Sequence, residues 1–278
     1  MYPYPILFGV MGIYDILLVA GIVICMFSAD RMGIMRKFSV KLQKVFIIAF
    51  MVAITLGLFG TVFFQAIYNW IDTGEFAINK ETGMTFYGGL IFGVIFFLAV
   101  WFGLGALWCK NGEAKKKFGS LADIAACLIP FAHGLGRIGC LCAGCCHGAD
   151  TDKWYGITHY GLLTNGEVIS LGKKVPVQLF EAIFLLALSL VLCWMFFVKF
   201  GKENEGRFPL MPIYVVAYGV WRFFIEYARA DERGETIIST LSPSQLIAIV
   251  MVLAGIAYFC AWYFHRKTGK TTEEEIKE

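Results

Sequence analysis

Long apolar runs dominate the amino-acid sequence, and they constrain its fold more than any other feature. Seven runs have the length and composition of membrane-spanning helices: 6–28, 46–70, 86–108, 121–144, 178–198, 209–228 and 242–264. About 20 mostly apolar residues are enough to cross a bilayer as a helix. Only 16% of the residues are charged, against about a quarter in a soluble domain. The sequence therefore predicts an all-α, polytopic membrane protein with about seven transmembrane helices.

Lysine and arginine residues outside these runs are concentrated on one side of the predicted membrane. They cluster in residues 31–44, 110–117, 199–207 and 266–277, which alternate with loops that carry far fewer of them. Because cytoplasmic loops are enriched in these residues, we expect the N-terminus outside the cell and the C-terminus in the cytoplasm. The N-terminal sequence MYPYPILFGV has no basic segment, so we expect no cleaved signal peptide there.

The chain is predicted to form a single transmembrane domain over 1–278, with two smaller parts outside the membrane. Residues 147–177 are polar and Gly-rich, and we interpret them as a small extracytoplasmic cap. Residues 265–278 are interpreted as a cytoplasmic tail. The net charge is only +3, and the sequence has no phosphate-binding loop and no basic–aromatic stripe. A nucleic-acid partner is therefore not expected.

Several ionisable side chains lie inside the predicted spans, where their cost marks a functional site by default. In the predicted orientation, Arg137 lies in the outer half of the fourth span, and Arg222 and Glu226 lie in the outer half of the sixth. Tyr14 and Glu181 fall near the outer ends of the first and fifth spans. These polar side chains from different spans all lie at a similar depth toward the outer side of the membrane. The sequence therefore predicts a site to which several helices contribute.

Two helical spacings refine this prediction. His133, Arg137 and Cys140 are spaced i, i+4 and i+7, which places them on one face of a helix. The same spacing recurs in Arg222, Glu226 and Arg229, and Glu226 can pair with either arginine, so a purely structural ion pair is an alternative. Arg137 has no acidic residue within one helical turn, so its partner is another helix, a lipid headgroup or a substrate anion. A guanidinium group suits bidentate phosphate binding.

The stretch GRIGCLCAGCCH at 136–147 contains four of the nine cysteines. A structural zinc site usually has four protein ligands in two pairs, and the chain has no second Cys-x-x-Cys pair, so we expect no metal. A disulfide among these cysteines, and a redox role for them, are alternatives if they face an oxidising compartment. We favour the interpretation that these small residues close the end of a packed helix.

Five segments, in order, resemble the prolipoprotein diacylglyceryl transferase family. They are MTFYGGLIFG (84–93), SLADIAACLIPFAHGLGRIGC (120–140), VPVQLFEA (175–182), YGVWRFFIEYARADE (218–232) and LSPSQLIAIVMVLAG (241–255). The resemblance implies a membrane transferase that moves the diacylglyceryl group of phosphatidylglycerol onto the lipobox cysteine of a prolipoprotein, releasing glycerol phosphate. It implies the bacterial cytoplasmic (inner) membrane, an active site toward the outer leaflet, and partners in phosphatidylglycerol, the prolipoprotein signal peptide and membrane lipids. No cofactor is implied.

The resemblance also implies a set of site residues. Arg137 and Arg222 match the family's two essential arginines, and we expect them to be catalytic together with His133 and Tyr87. The expected substrate-binding residues are Tyr14, Gly88, Gly89, Asp123, Gly136, Gly139, Cys140, Gln178, Glu181, Glu226 and Arg229.

The sequence departs from the family at several of these positions. Tyr87 replaces a histidine, Cys140 and Ala143 replace asparagines, and Cys145 replaces a glutamate. The base that deprotonates the acceptor thiol is therefore open, and we hypothesise that His133 takes that role, with Tyr87 as the alternative. A divergent transferase with another acceptor, and an inactive homologue that binds or transports lipid, are alternative functions.

Overall fold

The computed structural model describes residues 12–79, 82–162, 167–199, 209–229 and 241–275. In chain order its elements are α1 (Ile13–Met35), α2 (Val40–Thr73), α3 (Phe86–Trp108), α4 (Glu113–Lys116), α5 (Phe118–Ala143), β1 (Ile157–Leu162), β2 (Val168–Lys174), α6 (Val177–Trp194), α7 (Met211–Ile225) and α8 (Pro243–Glu275). A π-helical turn, Met195–Lys199, extends α6, and a 3-10 turn, Glu226–Ala228, extends α7.

Six helices among the described residues are long and apolar enough to cross a membrane, namely α1, α2, α3, α5, α6 and α8. The chain is a multi-pass membrane protein, and the predicted helical class is confirmed. The sixth predicted span, 209–228, corresponds to α7, which has 15 residues, and to the 3-10 turn Glu226–Ala228 that continues it. As a regular helix it is shorter than the six counted in the described part of the chain. Residues 6–11 of the first predicted span lie outside the described residues.

The segment 147–177 contains a small antiparallel sheet that the all-α prediction did not include. Strands β1 and β2 pair with Ile157 opposite Lys174 and Tyr160 opposite Ser170. Their register shifts between Thr158 and Tyr160, and such an irregularity re-aims a side chain. His159 lies at this shift and is fully buried. His159 is buried between the exposed residues Thr158 and Tyr160, which is the alternation of a regular strand, and the extra residue of the shift lies on β2.

The chain divides into two compact units, and the smaller one comprises Asp30–Leu121. Within it α2 and α3 pack in very close contact. A Cβ atom added to Gly60 would lie 2.7 Å from the carbonyl oxygen of Gly88, so glycine is what lets the two backbones approach each other. At the start of α2, the Ser39 backbone N–H donates to Glu113 Oε1 at 2.8 Å, which fixes the capping residue.

The larger unit comprises Met1–Ala29 and Ala122–Glu278. Polar contacts join its helices where apolar packing alone would leave buried groups without partners. Ser189 Oγ on α6 donates to the Cys127 carbonyl oxygen on α5 at 2.7 Å. The segment after α5 is tied to the end of the hairpin, because the Gly148 N–H donates to the Val175 carbonyl oxygen at 2.9 Å. These contacts set the positions of α5, α6 and α7 around the polar residues described next.

Candidate active site

Glu181 on α6 is the centre of a buried polar cluster in the larger unit. It is only 2% exposed. Its Oε2 lies 2.8 Å from Arg137 Nη2 on α5 and 3.8 Å from Arg229 Nη1, just after α7. A carboxylate so deeply buried is costly unless cations compensate it. Of the three partners that the sequence allowed for Arg137, namely another helix, a lipid headgroup or a substrate anion, Glu181 on α6 is the first.

The other carboxylate oxygen of Glu181 faces an aromatic pair. The Tyr218 hydroxyl donates to Glu181 Oε1 at 3.2 Å, and His133 Nε2 lies 3.8 Å from the same oxygen. The rings of His133 and Tyr218 meet edge to face with centroids 5.4 Å apart. Glu181 thus contacts an arginine, a tyrosine and a histidine at once, which orients all three.

Arg222 and Glu226 form a second ion pair at the end of α7. Arg222 Nη1 lies 2.7 Å from Glu226 Oε2, so Arg222, one of the two arginines that the sequence allowed for Glu226, is in contact with it. Hydroxyl groups from the start of α8 complete the arrangement. Arg222 Nη2 donates to Ser244 Oγ at 2.9 Å, and Ser242 Oγ donates to Glu226 Oε1 at 2.8 Å.

Arg137 keeps hydrogen-bonding capacity beyond its ion pair. Its Nη2 is at ion-pair distance from Glu181, yet neither Nη2 nor Nε makes an aligned hydrogen bond to any residue that the structure describes. The residue is 8% exposed, and a buried donor without an acceptor costs about 1–3 kcal/mol. Such a donor points to an acceptor supplied by a bound ligand or by water.

The glycines around Arg137 on α5 have different surroundings. Gly139 packs against Tyr14 of α1, since an added Cβ would lie 2.8 Å from Tyr14 Cδ2. Gly134 packs against α6, because a Cβ added to Gly134 would lie 2.9 Å from Leu186 Cγ. At Gly136 no atom of the residues that the structure describes lies within 4 Å of an added Cβ. Open space therefore adjoins the Arg137 backbone at Gly136, while Gly134 and Gly139 serve helix packing.

Gln178, three residues before Glu181 on α6, contacts the segment that follows α5. It is fully buried on the first turn of α6. Its Nε2 donates to the Cys145 carbonyl oxygen and lies 3.3 Å from His159 Nε2. His159 Nδ1 in turn lies 2.9 Å from the Ile157 carbonyl oxygen, and burial lowers the pKa of His159 below 6.5. The contacts of Gln178 are therefore with this segment, although the sequence assigned it to substrate.

The cysteines after Arg137 come together in space. The Sγ atoms of Cys140, Cys145 and Cys146 all lie within 4.8 Å of one another, and none of the nine cysteines is in a disulfide. Hydrogen bonds with the Cys140 and Cys145 thiols, with the positive charges of Arg137 and Arg229, lower the pKa of the Cys146 thiol. The sequence suggested small residues closing a helix end and did not predict this convergence.

The structure does not bring every predicted site residue into the cluster. Asp123 lies near the start of α5, about 20 Å along the helix axis from Arg137 at 1.5 Å per residue. Its Oδ1 accepts the Leu210 N–H at 2.8 Å, which supports the start of α7. Tyr87, Gly88 and Gly89 belong to the smaller unit, at the beginning of α3, and their predicted roles in the site stay predictions. There Gly88 packs against α2, and its small size is explained by that contact.

Three functional candidates were missed at the level of sequence, namely Tyr218, Ser242 and Ser244. A signal for Tyr218 was present, because it lies four residues before Arg222 and therefore on the same helical face. The two serines lie in the quoted segment LSPSQ at the start of α8. Serine is common at helix starts, so its presence there gave no reason to expect contact with an ion pair.

Fold and site together define a class, a multi-pass membrane protein with a buried, arginine-rich polar site among its helices. The sequence model described as prolipoprotein diacylglyceryl transferase matches residues 5–261. The chain belongs to this family, and the predicted resemblance is confirmed.

Individual relatives agree with the family. The chain is 29% identical over 265 residues to the phosphatidylglycerol–prolipoprotein diacylglyceryl transferase of Clostridium tetani (strain Massachusetts / E88), an alignment that covers 92% of this chain and 96% of the relative. It is 34% identical over 178 residues to phosphatidylglycerol–prolipoprotein diacylglyceryl transferase 2 of Clostridium perfringens (strain 13 / Type A), covering 64% of this chain and 61% of the relative. The enzyme of that name from Haemophilus influenzae (strain PittEE) is 30% identical over 216 residues, covering 77% and 72%.

Proposed function

We propose that this protein transfers the diacylglyceryl group of phosphatidylglycerol to the thiol of a prolipoprotein lipobox cysteine and releases glycerol phosphate. The names of its relatives describe this activity. The single observation that carries the proposal is Arg137, a buried arginine that pairs with Glu181 and keeps an Nε–H group without an acceptor among the described residues.

Arg137 and Arg222 are proposed to hold the phosphate of the lipid. A guanidinium group can offer two parallel donors to phosphate oxygens, and Glu181 already orients Arg137 for that purpose. Three guanidinium groups face two carboxylates in the described part of this cluster. The resulting excess of positive charge favours an anionic headgroup. Preorganised donors of this kind stabilise the charge that develops on a leaving phosphate.

His133 is proposed as the base for the acceptor thiol. Its Nε2 lies 3.8 Å from Glu181 Oε1, and a carboxylate beside an imidazole orients the ring and stabilises its protonated form. The other ring nitrogen is then available to take the thiol proton. Tyr87 remains the alternative base, because it stands where the family has a histidine.

The chemical step balances without a further reactant. The thiol proton passes to the base, and the thiolate attacks the glyceryl carbon that carries the phosphate oxygen, because the thiolate is the nucleophilic form. A carbon–sulfur bond forms while the carbon–oxygen bond breaks. The electron pair of the broken bond leaves on the phosphate oxygen of glycerol phosphate, beside the arginines.

The placement in the membrane is proposed from the charge pattern and from the family. We place the protein in the bacterial inner membrane, with the N-terminus outside, the 265–278 tail in the cytoplasm and the active site toward the outer leaflet. In this arrangement 147–177 forms an extracytoplasmic cap. Phosphatidylglycerol then enters sideways from the lipid, where the open space at Gly136 gives room beside Arg137.

A second candidate function follows from the departures at the site. Tyr87, Cys140 and Cys145 replace a histidine, an asparagine and a glutamate of the family, so the surroundings of the acceptor differ while the arginines are present. These changes favour a transferase that uses the same lipid donor with another acceptor.

The proposal is tested with purified protein in phosphatidylglycerol vesicles that receive a synthetic lipobox peptide. Mass spectrometry should detect one diacylglyceryl group added to the peptide cysteine. Arg137→Lys and Arg137→Ala should lose this product, while Arg31→Lys, at an exposed position, should retain it. Release of glycerol phosphate without peptide modification would favour the second candidate. Absence of both products would contradict the transferase proposal.

A further inference from the structure

The cysteine cluster after Arg137 has no part in the chemistry proposed above. It consists of Cys140, Cys145 and Cys146, whose Sγ atoms lie within 4.8 Å of one another. Sulfur atoms bound to one tetrahedral zinc ion lie about 3.8 Å apart, since the Zn–S bond is about 2.3 Å long. The three sulfurs are thus close to the spacing of a metal site and need only a small contraction to reach it.

Local backbone geometry builds this cluster. Gly144 follows the last residue of α5 with φ +77°, and a glycine is favoured there because the left-handed region is strained for other residues. The Gly144 N–H donates to the Leu141 carbonyl oxygen at 3.3 Å, and the Cys145 N–H donates to the Cys140 carbonyl oxygen at 3.2 Å. This pair of bonds is a Schellman helix end, and it folds Cys145 back onto Cys140.

The next residue adds a strained conformation. Cys146 has φ 57°, which is uncommon for a residue with a side chain and costs of order 1–3 kcal/mol. The fold maintains this conformation through buried contacts on both sides, since Gln178 Nε2 donates to the Cys145 carbonyl oxygen and the Gly148 N–H donates to Val175. Strain kept in place by surrounding contacts concentrates at functional sites.

We propose that Cys140, Cys145 and Cys146 bind a zinc ion and leave its fourth coordination position open. Thiolates are soft ligands that select zinc and copper(I) over magnesium or calcium. Three protein ligands with one open position are typical of catalytic zinc, whereas structural zinc has four. The positive charges of Arg137 and Arg229 act on this cluster, which offsets the negative charge of three bound thiolates. Cys145 is exposed, so the open position is accessible.

The substrate class for the open position is a thiol, an assignment that rests on the proposed transferase function. A thiol that coordinates zinc is deprotonated; it gives its proton to the base or to water and forms a Zn–S bond. The bound thiolate then attacks the glyceryl carbon, so that the carbon–sulfur bond forms while the zinc–sulfur bond and the carbon–oxygen bond to phosphate break. The electron pair of the carbon–oxygen bond leaves on glycerol phosphate. Zinc would thus act where Cys140 and Cys145 replace an asparagine and a glutamate of the family.

Metal content tests the zinc site separately from catalysis. Full-length protein in detergent is reduced, stripped with a chelator, incubated with Zn²⁺ and analysed for bound metal. We expect about one zinc ion per chain in the wild type and in the matched control Cys142→Ser, and loss of stoichiometric zinc in Cys140→Ser, Cys145→Ser and Cys146→Ser. Zinc retained in all three variants, no zinc in the wild type, or a disulfide within the trio after purification under reducing conditions would overturn the proposal.

The thiol assignment has its own readout. Co²⁺ replaces Zn²⁺, and the sulfur-to-cobalt charge-transfer absorption is recorded before and after addition of a lipobox peptide. We expect the band to increase with the cysteine peptide and to stay constant with a serine version. An unchanged band with the cysteine peptide would overturn the thiol assignment. A protein that binds zinc and shows the band, yet makes no lipidated peptide, would instead contradict the proposed function.

Discussion

Arg137 Nη2 on α5 and Glu181 Oε2 on α6 lie 2.8 Å apart, and both residues are almost fully buried. The pair joins two helices through charges that neither helix can neutralise alone. Because Glu181 also contacts Arg229, Tyr218 and His133, a change at this one carboxylate should alter every other group of the cluster.

Glu181→Gln should weaken both folding and activity. The amide can still accept the Tyr218 hydrogen bond but leaves the Arg137 guanidinium buried without its counter-charge, and removal of one partner of a buried ion pair costs about 3–5 kcal/mol. Thermal unfolding in detergent and peptide lipidation measure the two effects. Asp152→Asn, at an exposed position, is the control and should change neither. A Glu181→Gln protein of wild-type stability would show that the charge of Glu181 does not support the fold.

Arg137→Lys should lower kcat by about 10²–10³-fold, the usual cost of removing one preorganised donor to a developing charge. Lysine keeps the positive charge near Glu181 but lacks the planar arrangement of donors. Steady-state kinetics with phosphatidylglycerol vesicles provide the measurement. Arg31→Lys makes the same chemical change at an exposed position and should have no effect. Equal kcat values for Arg137→Lys and the wild type would argue against bidentate phosphate binding by Arg137.

His133→Ala should abolish peptide lipidation, while Tyr87→Phe should leave most of it. A general base contributes about 10²–10⁴-fold to a rate, and His133 is the histidine that contacts Glu181. Initial rates measured with the same peptide compare the two variants, and thermal unfolding checks that each is folded. A larger loss of activity in Tyr87→Phe than in His133→Ala would indicate that Tyr87 is the base.

Gly136→Ala should reduce activity without reducing stability. Among the described residues, no atom lies within 4 Å of a Cβ at Gly136 or at Gly119 of the same helix, and alanine favours a helix over glycine by about 1 kcal/mol. Both variants should therefore unfold at or above the wild-type temperature, and only Gly136→Ala should slow lipidation by narrowing the proposed lipid path. Gly134→Ala should lose stability, since its Cβ meets Leu186 at 2.9 Å. Unchanged activity in Gly136→Ala would exclude a close lipid contact there.

The hairpin should loosen as the pH falls below about 6.5, because burial lowers the pKa of His159 below 6.5. Above that pH the histidine is neutral in both folded and unfolded chains. Below it the unfolded chain binds the proton more readily, so the stability that neutral His159 contributes is lost as the pH approaches its folded pKa. Hydrogen exchange of 157–174, corrected for the intrinsic pH dependence, measures this change. His159→Gln should remove the excess pH dependence, and its persistence would assign the effect to another group.

Local sequence was sufficient to predict most of the membrane architecture. The mean hydropathy of a span depends only on the residues within that span. Six of the seven predicted spans accordingly appear as long helices, and the third coincides with Phe86–Trp108. The sixth predicted span, 209–228, appears as the shorter α7, whose regular helix ends at Ile225 and continues as a 3-10 turn to Ala228. The prediction missed the hairpin, whose short strands lie in a segment that sequence identified only as polar and Gly-rich.

The sequence by itself determined the membrane class, the family and the helical faces that carry Arg137 and Arg222, because these depend on spacing within single segments. Only the tertiary structure decided that Glu181 joins Arg137 to His133, that Glu226 pairs with Arg222, and that three cysteines converge. These contacts depend on how the helices pack and on the backbone conformation at Gly144 and Cys146. The distance between two residues along the chain does not reveal which of them meet in this way.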